Sequence, residues 1–389
     1  MGAGPVGLVT ALRLDAFGIP CVVVEAADEV QEDLRASTFH PPTLDMLDEY
    51  GLAAPLIAQG LITPSWQIRF HESGRHVEFD LSLLREDTAH PYRLQCEQHR
   101  LVRLLVERLG KAENVELRFG ARLDGIVQDA DGVTATVLTD GGSERLTGRL
   151  LVGADGARST TRDLIGSSFE GETYPETTIL AVTHFPFQDH LPNLSNVNYI
   201  WSDHGTFSLL RLRDFWRCSL YPDQGESIEE ALQPGAIEAK LQRIVARSVP
   251  YEVAECRSYR VHKRIVSDYR HGRVALAGDA AHINSPSGGM GMNGGIHDAF
   301  ALTSAIAEIW QGDGLDALDR YGAIRRPIAA QEILNQSHRN RSRMQERDPL
   351  RREEQFAELE AVVADPVRHR DYLLRSSMIA GLRAAGQLP

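Results

Sequence analysis

Apolar and polar residues alternate along the first 60 residues in blocks that predict helices and strands in turn. Residues 7–14 (GLVTALRL) have the composition of an apolar helix, and residues 21–24 (CVVV) that of a short buried strand. Strands that alternate with helices are typical of a mainly parallel sheet covered by helices. The N-terminal part of the chain therefore predicts an α/β fold.

The pattern changes after residue 60. Residues 62–82 predict two strands around a Ser-Gly turn, and residues 171–221 contain further strand-like runs with few helical stretches. Between them, residues 96–110 have the spacing of an amphipathic helix, and residues 115–156 predict a meander with Asp-Gly and Gly-Gly turns. We expect an inserted β-sheet that interrupts the α/β domain and covers its ligand crevice.

From residue 328 the chain becomes helical and arginine-rich. Asp348-Pro349 and Asp365-Pro366 each place an N-cap acid before a proline at the first helical position, so a helix is expected to begin at each. The apolar faces expected of these two helices are Phe356, Leu359 and Val363 in the first, and Val367, Leu374, Met378 and Leu382 in the second.

The chain contains three glycine motifs, of which the second and third follow predicted strands. In the first, Gly2, Gly4 and Gly7 form G-x-G-x-x-G at the start of the apolar helix, and the next strand ends in Glu25. In such a fingerprint the glycines permit a tight turn, a close approach of a pyrophosphate and close helix packing, while the acid binds a ribose hydroxyl. The motif predicts a dinucleotide site.

The other two motifs contain an Asp-Gly and a Gly-Asp pair. The strand 151–153 is followed by Asp155-Gly156, and the strand 274–277 by Gly278-Asp279. Glycines 288, 289, 291, 294 and 295 come next, and a helix is expected to begin near Asn293. Backbone without Cβ atoms, together with the positive end of a helix, favours a flat, polar ligand.

These three motifs, in this order, resemble those of the class A flavoprotein aromatic hydroxylases, the single-component FAD monooxygenases built like p-hydroxybenzoate hydroxylase. The resemblance runs from Gly2 to about Pro327. It implies a Rossmann-like FAD-binding domain in three segments, an inserted β-sheet substrate domain and a C-terminal helical extension. The expected boundaries are 1–60, 92–170 and 258–327 for the FAD-binding domain, 61–91 and 171–257 for the sheet domain, and 328–389 for the helical segment.

The resemblance also implies roles for individual residues. Arg35, in RASTFHPPT, is similar to the family arginine near the FAD phosphates and ribose, and Gln98 fits the family's Q-x-x-L pattern. Pro286 is placed like the family proline whose carbonyl lies beside the reacting ring, and we assign it to catalysis. The cofactor-binding set that follows is Gly2, Gly4, Gly7, Glu25, Arg35, Gln98, Asp155, Gly156, Gly278, Asp279, Gly289, Gly291, Met292 and Asn293.

Arg217 is the second expected catalytic residue. It lies in a predicted strand, FWRCSLY, whose alternation puts Phe215, Arg217, Ser219 and Tyr221 on one face. Related enzymes use a basic or polar residue on this strand to hold the flavin or an acidic substrate. The sequence leaves two orientations of the Arg217 side chain open, one facing the flavin and one facing solvent.

The reaction implied by the resemblance needs FAD, with NADH or NADPH as a transient co-substrate. Dioxygen would form a flavin C4a-hydroperoxide, which hydroxylates a phenolic or hydroxylated N-heteroaromatic ring. Two alternatives stay open: a flavin oxidoreductase of the same fold that acts on a polycyclic or quinone-type compound, and an inactive flavin-binding product. The mass of the product, FAD content and NAD(P)H consumption would distinguish them.

The first motif departs from the family pattern at its start. Such a fingerprint normally follows an apolar strand of about five or six residues in the middle of the sheet, and here Met1 stands directly before Gly2. Neighbouring strands would then keep unpaired backbone groups, each costing about 1–3 kcal/mol. We therefore expect poor folding or weak FAD binding, and a start site placed several codons too late is the preferred explanation.

Composition fits a large enzyme with small-molecule partners. A chain of 389 residues exceeds the ~250–300 at which a single core stops growing, so two domains are expected. The net charge of −13 argues against binding to nucleic acid or acidic lipid, and no apolar run approaches the ~20 residues of a membrane span.

Four scattered cysteines without a C-x-x-C pair suit the cytoplasm and predict no metal site. The expected partners are a small aromatic substrate and O2, and a homodimer is among the assemblies that stay open.

Overall fold

The helices lie mainly at the two ends of the chain. The structure, a computed structural model, describes residues 1–32, 34 and 36–388. Its helices are α1 (Pro5–Ala16), α2 (Pro41–Asp48), α3 (Ala53–Gln59), α4 (Gln98–Leu109), α5 (Thr160–Leu164), α6 (Ile228–Ala231), α7 (Pro234–Ile244), α8 (Met290–Gln311), α9 (Asp316–Ile328), α10 (Asn335–Gln345), α11 (Pro349–Ala364), α12 (Pro366–Ser376) and α13 (Ile379–Ala384).

The strands form one large sheet and several small ones. They are β1 (Cys21–Val24), β2 (Thr38–Phe39), β3 (Leu61–Thr63), β4 (Ser65–Phe70), β5 (His76–Asp80), β6 (Arg93–Gln95), β7 (Val115–Arg118), β8 (Arg122–Gln128), β9 (Val133–Thr139), β10 (Gly142–Gly148), β11 (Leu151–Gly153), β12 (Phe169–Thr183), β13 (Val197–Ser202), β14 (Gly205–Arg211), β15 (Trp216–Leu220), β16 (Val253–Val266), β17 (Arg270–His271), β18 (Val274–Leu276) and β19 (His282–Ile283). The α/β class with an inserted sheet and C-terminal helices is confirmed.

The nucleotide-binding part contains two small sheets that Met1 and Gly2 join. β1 pairs parallel with β7, and β11 pairs parallel with β18. The Met1 amino group donates to the Val152 carbonyl at 2.7 Å, the Ala154 N–H donates to the Met1 carbonyl at 2.9 Å, and the Gly2 N–H donates to the Val24 carbonyl at 2.8 Å. A groove of about 660 Å³, lined mainly by apolar residues, continues between the two sheets behind Met1. The expectation of poor folding or weak FAD binding stays a prediction.

One prediction for this region was wrong. The predicted meander was wrong at both ends, because β7 pairs with β1 and β11 pairs with β18; within the described residues, β8, β9 and β10 form the antiparallel meander. The apolar side chains of β1 and β7 pack against the buried face of α4 and α1, a contact that is distant in sequence. The alternation of apolar and polar residues along a strand does not show whether the strand pairs with its neighbour in sequence or with a distant strand.

The inserted sheet has eight strands in the order β19-β16-β12-β15-β14-β13-β4-β5, in which only the β13–β4 pair is parallel. One face is covered by α6 and α7, whose Ile237 and Leu241 pack against Trp216 and Leu220. The opposite face looks towards the glycine motifs. The expected boundaries at residues 170 and 257 fall inside β12 and β16, and the division into domains stays a prediction.

The C-terminal helices begin as predicted but end differently. Asp348 accepts a hydrogen bond from the Leu350 N–H, and Asp365 from the Val367 N–H, each at 2.9 Å. The predicted face of the second helix was wrong at Val367, which is 70% exposed. The prediction also failed for Met378 and Leu382, because Met378, with a φ of 68°, lies between α12 and α13, so neither residue belongs to α12. The buried side chains of α12 are His369, Leu373 and Ser376.

None of the helices within the described ranges combines the length and apolar character that a bilayer-spanning helix needs. The longest helix, α8, has 22 residues. It carries His297, Asp298 and Glu308 among its apolar residues.

Candidate active site

A cavity of about 620 Å³ lies between the glycine motifs and the open face of the eight-stranded sheet. Most residues that the sequence assigned to the site line this one cavity. They are Gly2, Gly4, Glu25, Gln98, Asp155, Gly156, Arg217, Asp279, Pro286, Gly289, Gly291 and Met292. Gly7, Gly278 and Asn293 lie behind the wall, and Arg35 lies outside the described residues.

The first glycine motif brings the chain very close to itself. Gly2 has a φ of +97°, and a Cβ there would lie 2.4 Å from the Ala154 carbonyl oxygen. A Cβ on Gly7 would lie 1.9 Å from the Gly2 carbonyl oxygen, so Gly7 allows the helix to pack and does not face the cavity. Gly4 is the N-cap of α1 and has no neighbour near its Cβ position. The unpaired N–H groups at this end of α1 are therefore presented to the cavity.

Glu25, at the end of β1, is tied to the same loop. Its Oε2 accepts a hydrogen bond from the Ala3 N–H at 2.7 Å, and its Oε1 accepts one from the Ala27 N–H at 2.9 Å. A carboxylate oxygen can accept more than one hydrogen bond. Glu25 can thus hold the loop and still accept from a ligand hydroxyl.

The Asp155 carboxylate accepts hydrogen bonds from residues that follow it closely in the chain. Oδ1 accepts from Ser159 Oγ at 2.5 Å, and Oδ2 accepts from both the N–H and the hydroxyl of Thr161 at 2.8 and 3.0 Å. The side chain caps the start of α5 and fixes the loop that contains Gly156. Asp155 therefore shapes the cavity wall mainly through its backbone.

The Gly-Asp turn of the third motif is held from behind by Asp298. Gly278 has a φ of +60°, and its N–H donates to Asp298 Oδ2 at 3.1 Å. Asp298 also accepts from His282 Nε2 and from Arg325 Nε, each at 2.7 Å. Burial alone would raise the pKa of Asp298, but Arg325 and His282 outweigh it and lower the pKa to about 2. This buried network fixes the turn that directs Asp279 to the cavity.

Helix α8 begins earlier than predicted, at Met290 instead of near Asn293. Gly288 and Gly289 have φ values of +101° and +68°, and this left-handed turn lets the helix begin immediately after it. Asn293 is fully buried: its Oδ1 accepts from the His40 N–H at 2.9 Å, and its Nδ2 donates to the Thr38 carbonyl at 2.8 Å. Asn293 therefore supports the glycine loop from inside.

Arg217 faces the cavity, which resolves the two positions left open by the sequence. Ser219 and Tyr221 line the same cavity, while Trp216, Cys218 and Leu220 belong to the core below α7. Arg217 Nη1 donates to Ser37 Oγ at 2.5 Å, and burial lowers the pKa of the guanidinium. On the other side, the Pro286 carbonyl accepts a hydrogen bond from the Gly289 N–H at 3.0 Å, within the turn before α8.

Known proteins that this chain resembles agree with this arrangement. Residues 1–336 match the family model described as FAD binding domain. The chain is 33% identical over 387 residues to para-nitrophenol 4-monooxygenase of Pseudomonas sp. strain WBC-3, covering 98% of this chain and 96% of that enzyme. The chain belongs to the FAD-dependent aromatic monooxygenases.

Two further relatives of this monooxygenase support the assignment. It is 33% identical over 349 residues to 6-hydroxy-3-succinoylpyridine 3-monooxygenase of Pseudomonas putida, covering 87% of this chain and 88% of that enzyme. The crystal structure of a p-nitrophenol 4-monooxygenase from Pseudomonas putida matches with a TM-score of 0.90 at 31% identity, covering 97% of this chain and 96% of that one.

The residues present in the monooxygenase fit FAD. The open space beside Gly4, where no atom lies within 4 Å of a Cβ position, has room for a pyrophosphate, and Glu25 stands at the end of the adjoining strand. Asp279 and the start of α8 lie further along the same cavity wall. An elongated dinucleotide needs donors and acceptors spaced along one crevice. The cavity has such donors and acceptors at both ends.

The sequence did not identify several residues on the sheet side of the monooxygenase cavity. These are Arg93, Tyr199, Phe207, Leu210, Tyr259 and Met344. They come from five separate elements that only the tertiary fold brings together. Strand alternation gave no signal for them, because it does not show which face of a strand meets a cavity.

Proposed function

We propose that this enzyme uses NAD(P)H and O2 to hydroxylate a phenolic or hydroxylated N-heteroaromatic ring. The observation that carries the proposal is the continuous cavity, which joins the dinucleotide loop at Gly2 and Glu25 to aromatic side chains of the sheet, among them Tyr199 and Tyr221. Two relatives, named for p-nitrophenol and 6-hydroxy-3-succinoylpyridine, support this substrate class. The scattered cysteines favour a cytoplasmic location.

Bound FAD supplies electron transfer from NAD(P)H and activation of O2. In our proposal the protein binds, orients and shields these groups. Gly4 and Glu25 would hold the adenosine and pyrophosphate part, and Asp279 the ribityl chain. Gly289, Gly291 and Met292 put the start of α8 on the cavity wall. The positive end of this helix can stabilise a partly buried negative charge by up to about 2 kcal/mol.

The aromatic ring would lie on the sheet side of the cavity. Phe207, Leu210 and Met344 give this side an apolar wall that excludes water. Arg217 would restrain the ring system of the cofactor or hold an acidic substituent, and the Pro286 segment would close the space opposite. The glycine motifs would therefore bind the cofactor, and the inserted sheet would bind the substrate.

Oxygen labelling tests this function directly. FAD-loaded enzyme, supplied with NADH or NADPH and a panel of phenols and hydroxypyridines under ¹⁸O2, should give a product that contains one labelled oxygen atom. NAD(P)H consumption should rise when the right ring is present. Consumption that yields only hydrogen peroxide with every ring, or failure to bind FAD, would contradict the proposal.

A further inference from the structure

The turn after α13 brings a distant part of the chain to the back of the third glycine motif. Helix α13 ends at Ala384, and Gly386 follows with a φ of +66°. The Gly386 N–H donates to the Arg383 carbonyl, and the Gln387 N–H donates to the Leu382 carbonyl, each at 2.9 Å. These two bonds form a Schellman cap, which needs a left-handed residue such as glycine. The cap fixes the direction in which Gln387 leaves the helix.

The side chain of Gln387 is bonded to a fully buried arginine. Its carbonyl oxygen accepts a hydrogen bond from Arg325 Nη1 at 3.0 Å. Arg325 Nε donates to Asp298 Oδ1 at 2.7 Å, and Nη2 donates to the Gly294 carbonyl of α8 at 3.3 Å. Within the described residues, each of the three guanidinium nitrogens therefore has one acceptor. Removing one acceptor leaves a buried donor of a charged group unpaired, which is costly.

Asp298 extends this contact to the cofactor side. Arg325 and Asp298 are both fully buried. Asp298 Oδ2 accepts a hydrogen bond from the Gly278 N–H at 3.1 Å, and the next residue, Asp279, lines the cavity. Three hydrogen bonds in series thus connect Gln387 with the turn that presents Asp279.

The second glycine motif shows how unusual this long connection is. Its Asp155 accepts hydrogen bonds from Ser159 and Thr161, which follow it by 4 and 6 residues. The turn at Gly278 is instead held by a residue 20 positions later. Through Arg325, it is also held by Gln387, more than 100 positions away. The third motif therefore depends on the C-terminal helices for its support.

The residues on either side of Gln387 are anchored independently. Arg383 donates to Asp87 Oδ1 at 2.7 Å, and the Asp87 side chain is only 1% exposed. Leu388 packs against the apolar core around α1 and α4 and against the core between the inserted sheet and α11. An acceptor that is already held in place loses little conformational entropy when it forms its hydrogen bond. Gln387 is thus preorganised to meet Arg325.

We propose that Gln387 is a positioning residue for FAD, which holds Arg325 so that Asp298 keeps the Gly278-Asp279 turn in the conformation that binds the cofactor. This inference rests on the cofactor side of the proposed function and applies whichever ring is hydroxylated. When Gln387 is lost, Arg325 turns towards another acceptor and its hold on Asp298 weakens. FAD must then order the turn as it binds, so its affinity falls.

Titration of the apoenzyme with FAD, followed by flavin fluorescence, tests the proposal. Gln387→Met is similar in size and has no carbonyl acceptor, so it should bind FAD about 3- to 10-fold more weakly. Gln387→Glu keeps an oxygen acceptor for Arg325 and should bind within about twofold of the unchanged enzyme. Gln311→Met, at the exposed end of α8, is the matched control and should bind normally.

Two further variants separate a positioning role from general stability. In an Asp279→Ala background the turn no longer presents its carboxylate, so Gln387→Met should weaken FAD binding by less than about twofold more. Arg383→Met breaks the ion pair with Asp87 without touching Arg325. It should lower the free energy of unfolding, measured with urea, and leave FAD affinity unchanged.

Three results would overturn the inference. They are equal FAD affinity in Gln387→Met and the unchanged enzyme, the same loss from Gln387→Met with and without Asp279→Ala, and an equal loss in Arg383→Met. In each case, ¹⁸O incorporation by the unchanged enzyme would leave the proposed function standing. Weaker FAD binding by Gln387→Met, restored in Gln387→Glu, together with no ¹⁸O incorporation by the unchanged enzyme, would instead contradict the function and keep the positioning role.

Discussion

Glu25 and Ala3 are joined by a hydrogen bond of 2.7 Å, in which the backbone N–H of the glycine loop donates to the carboxylate. This contact connects the end of β1 with the turn that begins α1. The same carboxylate is expected to accept from a ribose hydroxyl of FAD. Loop geometry and cofactor affinity therefore depend on one side chain.

Glu25→Ala should lower FAD affinity about 10- to 150-fold, because it removes a charge-assisted acceptor worth about 1.5–3 kcal/mol. Glu25→Gln, which keeps one acceptor oxygen, should lose less. Fluorescence titration of the apoenzyme with FAD measures both. Glu107→Ala, on the exposed face of α4, is the matched control and should bind normally. Equal FAD affinity in Glu25→Ala would show that the carboxylate does not contact the cofactor.

Asp279→Ala should also release FAD, since Asp279 lines the cavity beside the start of α8. A similar loss of about 10- to 150-fold is expected for one charge-assisted hydrogen bond. Dialysis followed by flavin absorbance gives the fraction retained. Asp313→Ala, an exposed residue after α8, serves as the control. Full retention of FAD by Asp279→Ala would show that Asp279 does not bind the cofactor.

Arg217→Lys should bind FAD normally but hydroxylate poorly. The change keeps a positive charge and loses the planar fork that fixes a carboxylate, a phenolate or a flavin edge. Substrate-stimulated NAD(P)H oxidation should fall, or a larger share of it should end as hydrogen peroxide. The matched control is Arg211→Lys on β14. If Arg217→Lys turns over normally and forms no additional hydrogen peroxide, Arg217 has no role in the reaction.

Asp298→Asn should destabilise the fold and change its acid sensitivity. Its folded pKa of about 2 lies below the ordinary value of 3.8, so its contribution is present at neutral pH and is lost as the pH falls from about 4 to 2. We expect the variant to lose about 3–5 kcal/mol at pH 7. Its difference from the unchanged protein should shrink by about 2 kcal/mol over the acid range.

Urea unfolding at several pH values measures this difference. Asp313→Asn, at an exposed position, should follow the unchanged protein throughout. A gap between Asp298→Asn and the unchanged protein that stays constant from pH 7 to pH 2 would show that folding does not lower the pKa of Asp298.

An added apolar segment before Met1 should stabilise the nucleotide-binding part. About five residues rich in Val and Ile would extend from Met1 into the groove between β1 and β11, where each buried side chain contributes about 1.5–3 kcal/mol. The free energy of unfolding and the FAD content should both rise. A segment of the same length containing several prolines cannot pair with the strands and should have no effect. The same result for both segments would contradict the expected pairing.

The sequence predicted the elements whose signals are local. Asp348 and Asp365 cap helices as expected, because an N-cap depends on residues within one turn. The second and third glycine motifs converge because each follows one of two paired strands, β11 and β18, and the first motif is joined to them by the hydrogen bonds of Met1. Alternation along β15 correctly put Arg217 and Ser219 on one face.

What the sequence missed depends on contacts between distant segments. β7 pairs with β1, more than 90 residues away, because both strands cover the same helices. Met378 adopts a left-handed conformation that its side chain does not favour, so the end of α12 could not be predicted from local preference. Arg93 and Tyr199 meet at the cavity although they are more than 100 residues apart.

The backbone of Gly288 has contacts on both sides of the active site. Its carbonyl is 2.8 Å from His40 Nε2 in the nucleotide-binding part, and its backbone is bonded to Tyr199 in the inserted sheet. Two residues later the chain becomes α8, which faces the cofactor side of the cavity. One short stretch of backbone therefore joins the inserted sheet to the start of the helix on the cofactor side, and holds the two walls of the cavity together.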